Sequence, residues 1–189
     1  MLSPVLVIIS INIGVAIATT VSSDLLSNLG LYSDMDLFLE RPWGLLTSMF
    51  VHSGLFHLFA NMITLYFFGS FLSRLVGTRT FLLIYFSGGI IGGILFILLA
   101  SNAIAVGASG AVFALGGAMA VMAPRLKVII FPIPAPIPLW VAALGIFVIL
   151  TILPMLNTYS NVAWQAHLGG AVLGIIAGYI LKGRGRYYV

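Results

Sequence analysis

The stretch Gly107-Ala108-Ser109-Gly110-Ala111-Val112-Phe113-Ala114-Leu115-Gly116-Gly117 opens an apolar segment that runs to Ala123 and stops at Pro124-Arg125. A serine among small residues at the start of a membrane-length helix is a candidate nucleophile. Its neighbours leave the hydroxyl uncovered, and glycines let a second backbone come close. The same serine has a plainer use, a hydrogen bond back to a carbonyl one turn earlier. The rest of the chain has to decide between the two.

Composition sets the class. Of 189 residues, 61% are hydrophobic and only 6% charged, too few to cover the surface of a water-soluble domain. Apolar segments of spanning length recur at 4–21, 57–76, 81–100, 107–123, 139–153 and 162–181. The predicted fold is an all-α polytopic membrane protein, a six-transmembrane-helix bundle making one membrane domain over 1–189. Ala16-Ile17-Ala18 resembles a signal-peptide cleavage site, but no Lys or Arg precedes the first segment, which reads as a retained helix. Asn12 within it reads as a packing group. The longest polar stretch, 22–56, holds all four acids, Asp24, Asp34, Asp36 and Glu40, together with Arg41 and Trp43. Gly88, Gly89, Gly92 and Gly93 give the third segment a close-packing face. The alternating prolines of 131–138 read as a stiff extended linker, and Pro154 as the end of the fifth segment.

The net charge of +4 comes from short basic clusters beside hydrophobic segments. Arg74 and Arg79 follow the second, Arg125 and Lys127 the fourth, and Lys182, Arg184 and Arg186 the sixth. Such clusters set orientation, so the expected partner is the lipid bilayer and not nucleic acid. They place both termini in the cytoplasm of a multi-pass cell-membrane protein, with segments two, four and six running inward from outside. The chain has no cysteine, which excludes a thiol nucleophile, disulfides and thiolate metal sites.

Besides Ser109, His167 stands near the start of segment six, and His57 and Asn61 near the start of segment two. Ionisable groups inside membrane helices are costly and are functional candidates; a lone histidine also serves as a packing hydrogen bond. Depth separates these readings. Ser109 lies roughly 24 Å from Arg125, His167 roughly 22 Å from Lys182, and His57 roughly 25 Å from Arg74 along their helices. Three parallel helices thus bring polar groups to one level, which unrelated packing contacts have no reason to do.

The helix faces agree. His57 and Asn61 are i,i+4 on one side. Gly170, Gly174 and Gly178 follow His167 on its face. Phe113, Gly116 and Ala120 follow Ser109, so Gly174 is expected to meet Gly116 or Ala120. Close packing then brings Ser109 and His167 within hydrogen-bond reach as nucleophile and base. His57 and Asn61, with the Ser109 N–H, suit an oxyanion site. No carboxylate is available as a third member, so a Ser–His dyad is expected, with Phe113 either carrying the imidazole ring or serving as ordinary core. Neither an aspartyl site nor His-Glu-x-x-His is present: His52-Ser53-Gly54-Leu55-Phe56-His57 lacks both the spacing and the glutamate. His52 reads as structural. No cofactor or metal is expected.

Gly107-Ala108-Ser109-Gly110, the His57/Asn61 pair, and Ala166-His167-Leu168-Gly169-Gly170 with Gly174 together resemble the rhomboid family of intramembrane serine proteases, over nearly the whole chain. The resemblance implies a six-helix bundle whose fourth helix starts deep, under a water-filled cavity open to the outside. It implies cleavage of single-span or multi-span membrane proteins near their outer end. Ser109 would be the nucleophile, His167 the base, and His57, Asn61 and the Ser109 N–H the oxyanion site. It also implies lateral substrate entry past segment five, capped by the 154–161 loop. Two departures are visible: Phe113 where many members have Tyr, and Trp43-Gly44 where many have Trp-Arg. The competing functions are an inactive rhomboid-like binder of membrane segments and a small transporter. Against the second, segment six below His167 is nearly devoid of polar residues.

Overall fold

The computed structural model describes residues 3–22, 24–130, 133–157 and 160–183. Arg184 and Arg186, and Thr158 and Tyr159 in the 154–161 loop, lie outside the described residues.

Among the described residues six long apolar helices organise the chain, referred to below as first to sixth: Pro4–Val21, Leu55–Val76, Thr78–Leu99, Ser109–Met122, Leu139–Leu156 and Trp164–Gly183. Five are long and apolar enough to cross a membrane, and the fourth, at 14 residues, is shorter. At 1.5 Å per residue the fourth spans roughly 21 Å, less than a hydrocarbon layer of about 30 Å. Nine of those 14 residues are buried, so the shortest helix is the centre of the bundle. The first, with only Val5, Ile8 and Asn12 buried, is peripheral. Asn12 donates to the Ile8 carbonyl of its own helix at 2.8 Å.

Helix limits differ from the hydropathy reading where the backbone has a specific reason to turn. The third helix starts at Thr78, not 81, because Gly77 (φ +82) reverses the chain in one residue after Val76. Only glycine takes that conformation without strain. The second helix opens into a π-turn over Leu65–Gly69, and the fifth over Val148–Ile152. The fifth also continues through Pro154 to Leu156, where the sequence suggested a stop. A proline is tolerated in the first turn after a π-opening, since the hydrogen bond it cannot make is already disrupted. The proline segment is not an extended linker: Lys127–Ile130 and Ile133–Pro138 pair antiparallel. Pro134, Pro136 and Pro138 sit in the edge strand of a two-stranded ribbon, where a missing N–H costs little, and Phe131 and Pro132 lie outside the described residues.

The 22–56 segment folds into short helical pieces, Asp24–Leu29, Met35–Glu40, Gly44–Thr47 and a 3-10 turn at Ser48–Phe50. Asp34 caps the second piece by accepting from the Leu37 N–H at 3.0 Å. Leu31–Tyr32 pairs with Ile104–Ala105, tying this segment to the turn before the fourth helix. Trp43 Nε1 donates to the Asn28 carbonyl at 2.9 Å, and Thr47 Oγ1 to the Leu29 carbonyl at 2.7 Å. A Cβ at Gly44 would lie 2.5 Å from the Gly30 carbonyl oxygen. The Trp43-Gly44 pair thus holds the segment by a ring hydrogen bond and a close backbone approach.

Small residues set the helix packing. In lipid, helices associate through close contact more than through the hydrophobic effect. Gly88 of the third helix rests on Ala114 of the fourth, and Gly92 on the Ala166 carbonyl of the sixth. Gly170, Gly174 and Gly178 of the sixth meet Gly110, Ala114 and Ala118 of the fourth. This corrects the expected pairing of Gly174. It faces Ala114, while Gly116 is turned toward the Phe68 ring of the second helix. The contact steps by four residues on both helices, so the touching row starts at Gly110 rather than at Ser109.

Candidate active site

Gly107 (φ +122) breaks the chain immediately before the fourth helix, and its N–H donates to the Ser48 carbonyl at 2.9 Å. Ser109 is therefore the first residue of a helix that begins inside the bundle. On the sixth helix, His167 sits one turn after Trp164 and is buried, with 6% exposure. Backbone contact between Gly170 and Gly110 draws the two helices together just beyond these side chains. The result is a hydrogen bond of 2.8 Å between Ser109 Oγ and His167 Nε2.

The imidazole is held on two further sides. Its ring stacks on Phe113, with centroids 4.5 Å apart and planes 21° apart. Phe113 in turn meets Phe147 of the fifth helix edge-on at 6.3 Å. Nδ1 lies 2.7 Å from the Leu150 carbonyl oxygen, also on the fifth helix. Sequence reasoning leaves Phe113 between ring platform and ordinary core, which the stacking decides, and it misses the carbonyl.

The other polar groups gather at the same end of the bundle. The His57 ring packs against Gly107, where a Cβ would lie 2.7 Å from its Cε1. Its Nδ1 is hydrogen-bonded to Ser53 Oγ at 3.1 Å. Asn61, one turn further along, is buried at 5% exposure, and its amide donates to the His57 carbonyl at 2.8 Å. One amide hydrogen is thereby used and the second remains. A cavity of about 30 Å³ lies beside Ser109, lined in part by Ser48, Gly107, Gly110, Ala163 and Ala166. That is room for at least one water molecule.

His52, read from the sequence as structural, lies buried beside His57. Its ring meets His57 edge-on at 5.0 Å, and Nε2 accepts a long hydrogen bond of 3.5 Å from the Ala108 N–H. Burial foremost, then the neighbouring His57, lowers its pKa from 6.5 to about 4, against a smaller upward pull from the Phe50 carbonyl. In the unfolded chain His52 takes up its proton near pH 6.5, and in the folded chain only near pH 4. Its contribution to stability is thus complete above about pH 6.5 and is lost as pH falls toward about 4. Acidification from about pH 7 to about pH 4.5 is expected to lower the melting temperature of the purified protein, and His52→Gln to flatten that fall. An equal fall in both proteins would show that His52 is not the titrating group.

Comparison with known proteins follows the same residues. Residues 39–184 match the family model described as the rhomboid domain. Rhomboid protein 1, mitochondrial, of Saccharomyces cerevisiae is 31% identical over 141 residues, covering 71% of this chain and 40% of that protein. RHOMBOID-like protein 12, mitochondrial, of Arabidopsis thaliana is 36% identical over 165 residues, 76% of this chain and 48% of that protein. Inactive RHOMBOID-like protein 8 of Arabidopsis thaliana is 40% identical over 77 residues, 41% of this chain and 22% of that protein. The chain spans less than half the length of these relatives. The family match nonetheless takes in every residue that the fold gathers around Ser109, and on that match this multi-pass membrane protein belongs to the rhomboid family.

Proposed function

We propose that the chain is an intramembrane serine protease working through a Ser109–His167 dyad. The observation that carries this reading is the 2.8 Å contact between Ser109 Oγ and His167 Nε2 on a ring stacked against Phe113. His167 takes the Ser109 proton as Oγ adds to the scissile carbonyl, then passes it to the departing amine; water resolves the acyl-enzyme. The oxyanion forms where the first N–H groups of the fourth helix have no intrahelical partner. The Ser109 N–H, His57 and Asn61 are its donors. The substrates are single-span or multi-span membrane proteins, cut near their outer end. They enter laterally past the fifth helix, with the 154–161 loop as cap. Labelling by a fluorophosphonate probe tests the reading, with loss of label in Ser109→Ala as the expected result.

One relative bears the word inactive in its name, which keeps a non-cleaving binder as the second reading. A binder has no need of an aligned serine–histidine pair, and an absence of probe labelling would favour it. For the oxyanion role, Asn61→Ala is expected to lower kcat about 10²–10³-fold, the effect of losing one such donor. A change confined to KM would assign Asn61 to substrate binding.

Two of the relatives above are named mitochondrial, and charge carries the orientation of the chain in its membrane, not the choice of membrane. The basic residues after the second, fourth and sixth helices set the orientation, and with the cell membrane as the host they place both termini in the cytoplasm. Since the chain has no cysteine, Asp36→Cys and Arg184→Cys can be labelled singly without a background. Labelling from opposite sides is expected, and labelling from one side would overturn this topology.

A further inference from the structure

His167 holds two hydrogen bonds with different demands. A carbonyl oxygen only accepts, so the 2.7 Å contact with the Leu150 carbonyl requires the proton on Nδ1. Nε2 is then the bare nitrogen, and it is the one facing Ser109 Oγ. No carboxylate is bonded to the ring among the described residues.

The local sequence explains why this carbonyl lacks its α-helical partner. In a regular α-helix it would accept the N–H of residue 154, four positions on. That residue is Pro154, which has no N–H. The π-turn at Val148–Ile152, with the Leu153 N–H reaching back to the Val148 carbonyl, opens the helix at the same place. Without that α-helical donor inside the membrane the Leu150 carbonyl is open to a side-chain partner, and His167 Nδ1 meets it at 2.7 Å.

We propose that the Leu150 carbonyl is a positioning group, a main-chain third member beside the Ser109–His167 pair. It fixes the imidazole in the tautomer whose Nε2 can accept the Ser109 proton. When Nε2 takes that proton, the ring becomes a cation and the carbonyl dipole stabilises it through Nδ1–H. The inference rests on the reading of Ser109 as nucleophile and His167 as base. It has a consequence for control. The fifth helix presents Leu144, Ile149, Leu153 and Leu156 outward, at 54%, 59%, 54% and 75% exposure. The tautomer of the base therefore depends on the placement of a helix with one largely unpacked side.

The test uses the full chain in lipid nanodiscs with ¹⁵N-labelled histidine, the His167 signals being identified by comparison with His167→Ala. Nδ1 protonated and Nε2 bare at neutral pH is the expected result; the opposite tautomer, or an even mixture, overturns the proposal. Replacing Thr151 by its α-hydroxy acid turns the Leu150 carbonyl into an ester carbonyl, a weaker acceptor, and keeps every side chain. The Nε2–H tautomer is expected to emerge and kcat to fall about fivefold, the rate equivalent of one net hydrogen bond. The same exchange at Val141, nearer the start of the fifth helix, is expected to change neither. An unchanged tautomer and rate in the Thr151 ester overturns the proposal. Ser109→Ala, assayed in parallel, separates the two claims. Retained turnover in Ser109→Ala ends the reading of Ser109 as nucleophile. A wrong tautomer with Ser109→Ala inactive ends only the role of Leu150.

Discussion

Ser109→Ala and His167→Ala are each expected to abolish cleavage of a single-span substrate, a loss of roughly 10⁴-fold or more. The two side chains share one hydrogen bond of 2.8 Å and act in one proton transfer. Removing either leaves the other with nothing to do, so the double variant should be no slower than the singles. Ser109→Ala should leave the fold undisturbed, whereas His167→Ala removes a buried ring that stacks on Phe113 and bonds the Leu150 carbonyl, so its folding is checked separately. Ser109 is the first residue of its helix, and its neighbours are held by backbone contacts between Gly110 and Gly170 that involve no side chain. Monodisperse purification with wild-type melting behaviour would confirm that the loss is chemical. Clear turnover in a well-folded Ser109→Ala would mean that another group is the nucleophile. Additive losses in the double variant would mean that the residues act in separate steps.

Much of this site is written in the spacing of residues along helices. Counting from Arg125 and Lys182 puts Ser109 and His167 at one depth, and their contact follows once small residues let the helices touch. The Phe113 platform comes from the same periodicity, one turn after Ser109. The missed features share a cause: they depend on what the backbone does where helical periodicity breaks. Pro154 reads as a helix end because an isolated proline usually ends or kinks a helix. The structure instead absorbs it behind a π-turn, and the carbonyl so released reaches His167. The pattern that could have revealed this is a proline four residues after Leu150, in a helix expected to lie beside the histidine. The prolines of 131–138 mislead similarly, because alternation in an edge strand and alternation in a linker look alike until a partner strand is known. The direction of Gly116 was wrong because the touching row of the fourth helix starts one residue later than its functional side chain.

That row makes Gly174 the position of the second large effect. A Cβ built there would land on the Ala114 carbonyl oxygen, with the Ala114 Cα at 2.7 Å, so even alanine requires the backbones to part. Leucine adds a branched side chain at the same point, and overpacking of this kind costs about 1–3 kcal/mol. In lipid that cost can be relieved by separating the helices, because newly exposed apolar surface meets acyl chains instead of water. Gly174→Leu is therefore expected to insert and purify normally. The damage appears two turns away, at the Ser109–His167 contact. A pair at 2.8 Å stops being a hydrogen bond once it opens beyond about 3.5 Å, and a misplacement of about 1 Å can cost roughly a hundredfold in rate. Activity should fall by about that factor in Gly174→Leu and by less in Gly174→Ala. Leu173→Ala should be milder than either. Leu173 is only partly buried at the edge of the main core, and truncating it leaves the helix spacing intact. The measurement is kcat/KM for the three variants beside probe labelling of Ser109, which should weaken in the same order. Full activity in Gly174→Leu would show that the sixth and fourth helices do not meet at Ala114 in the membrane, and the geometry argued for the nucleophile and its base would fall with that contact.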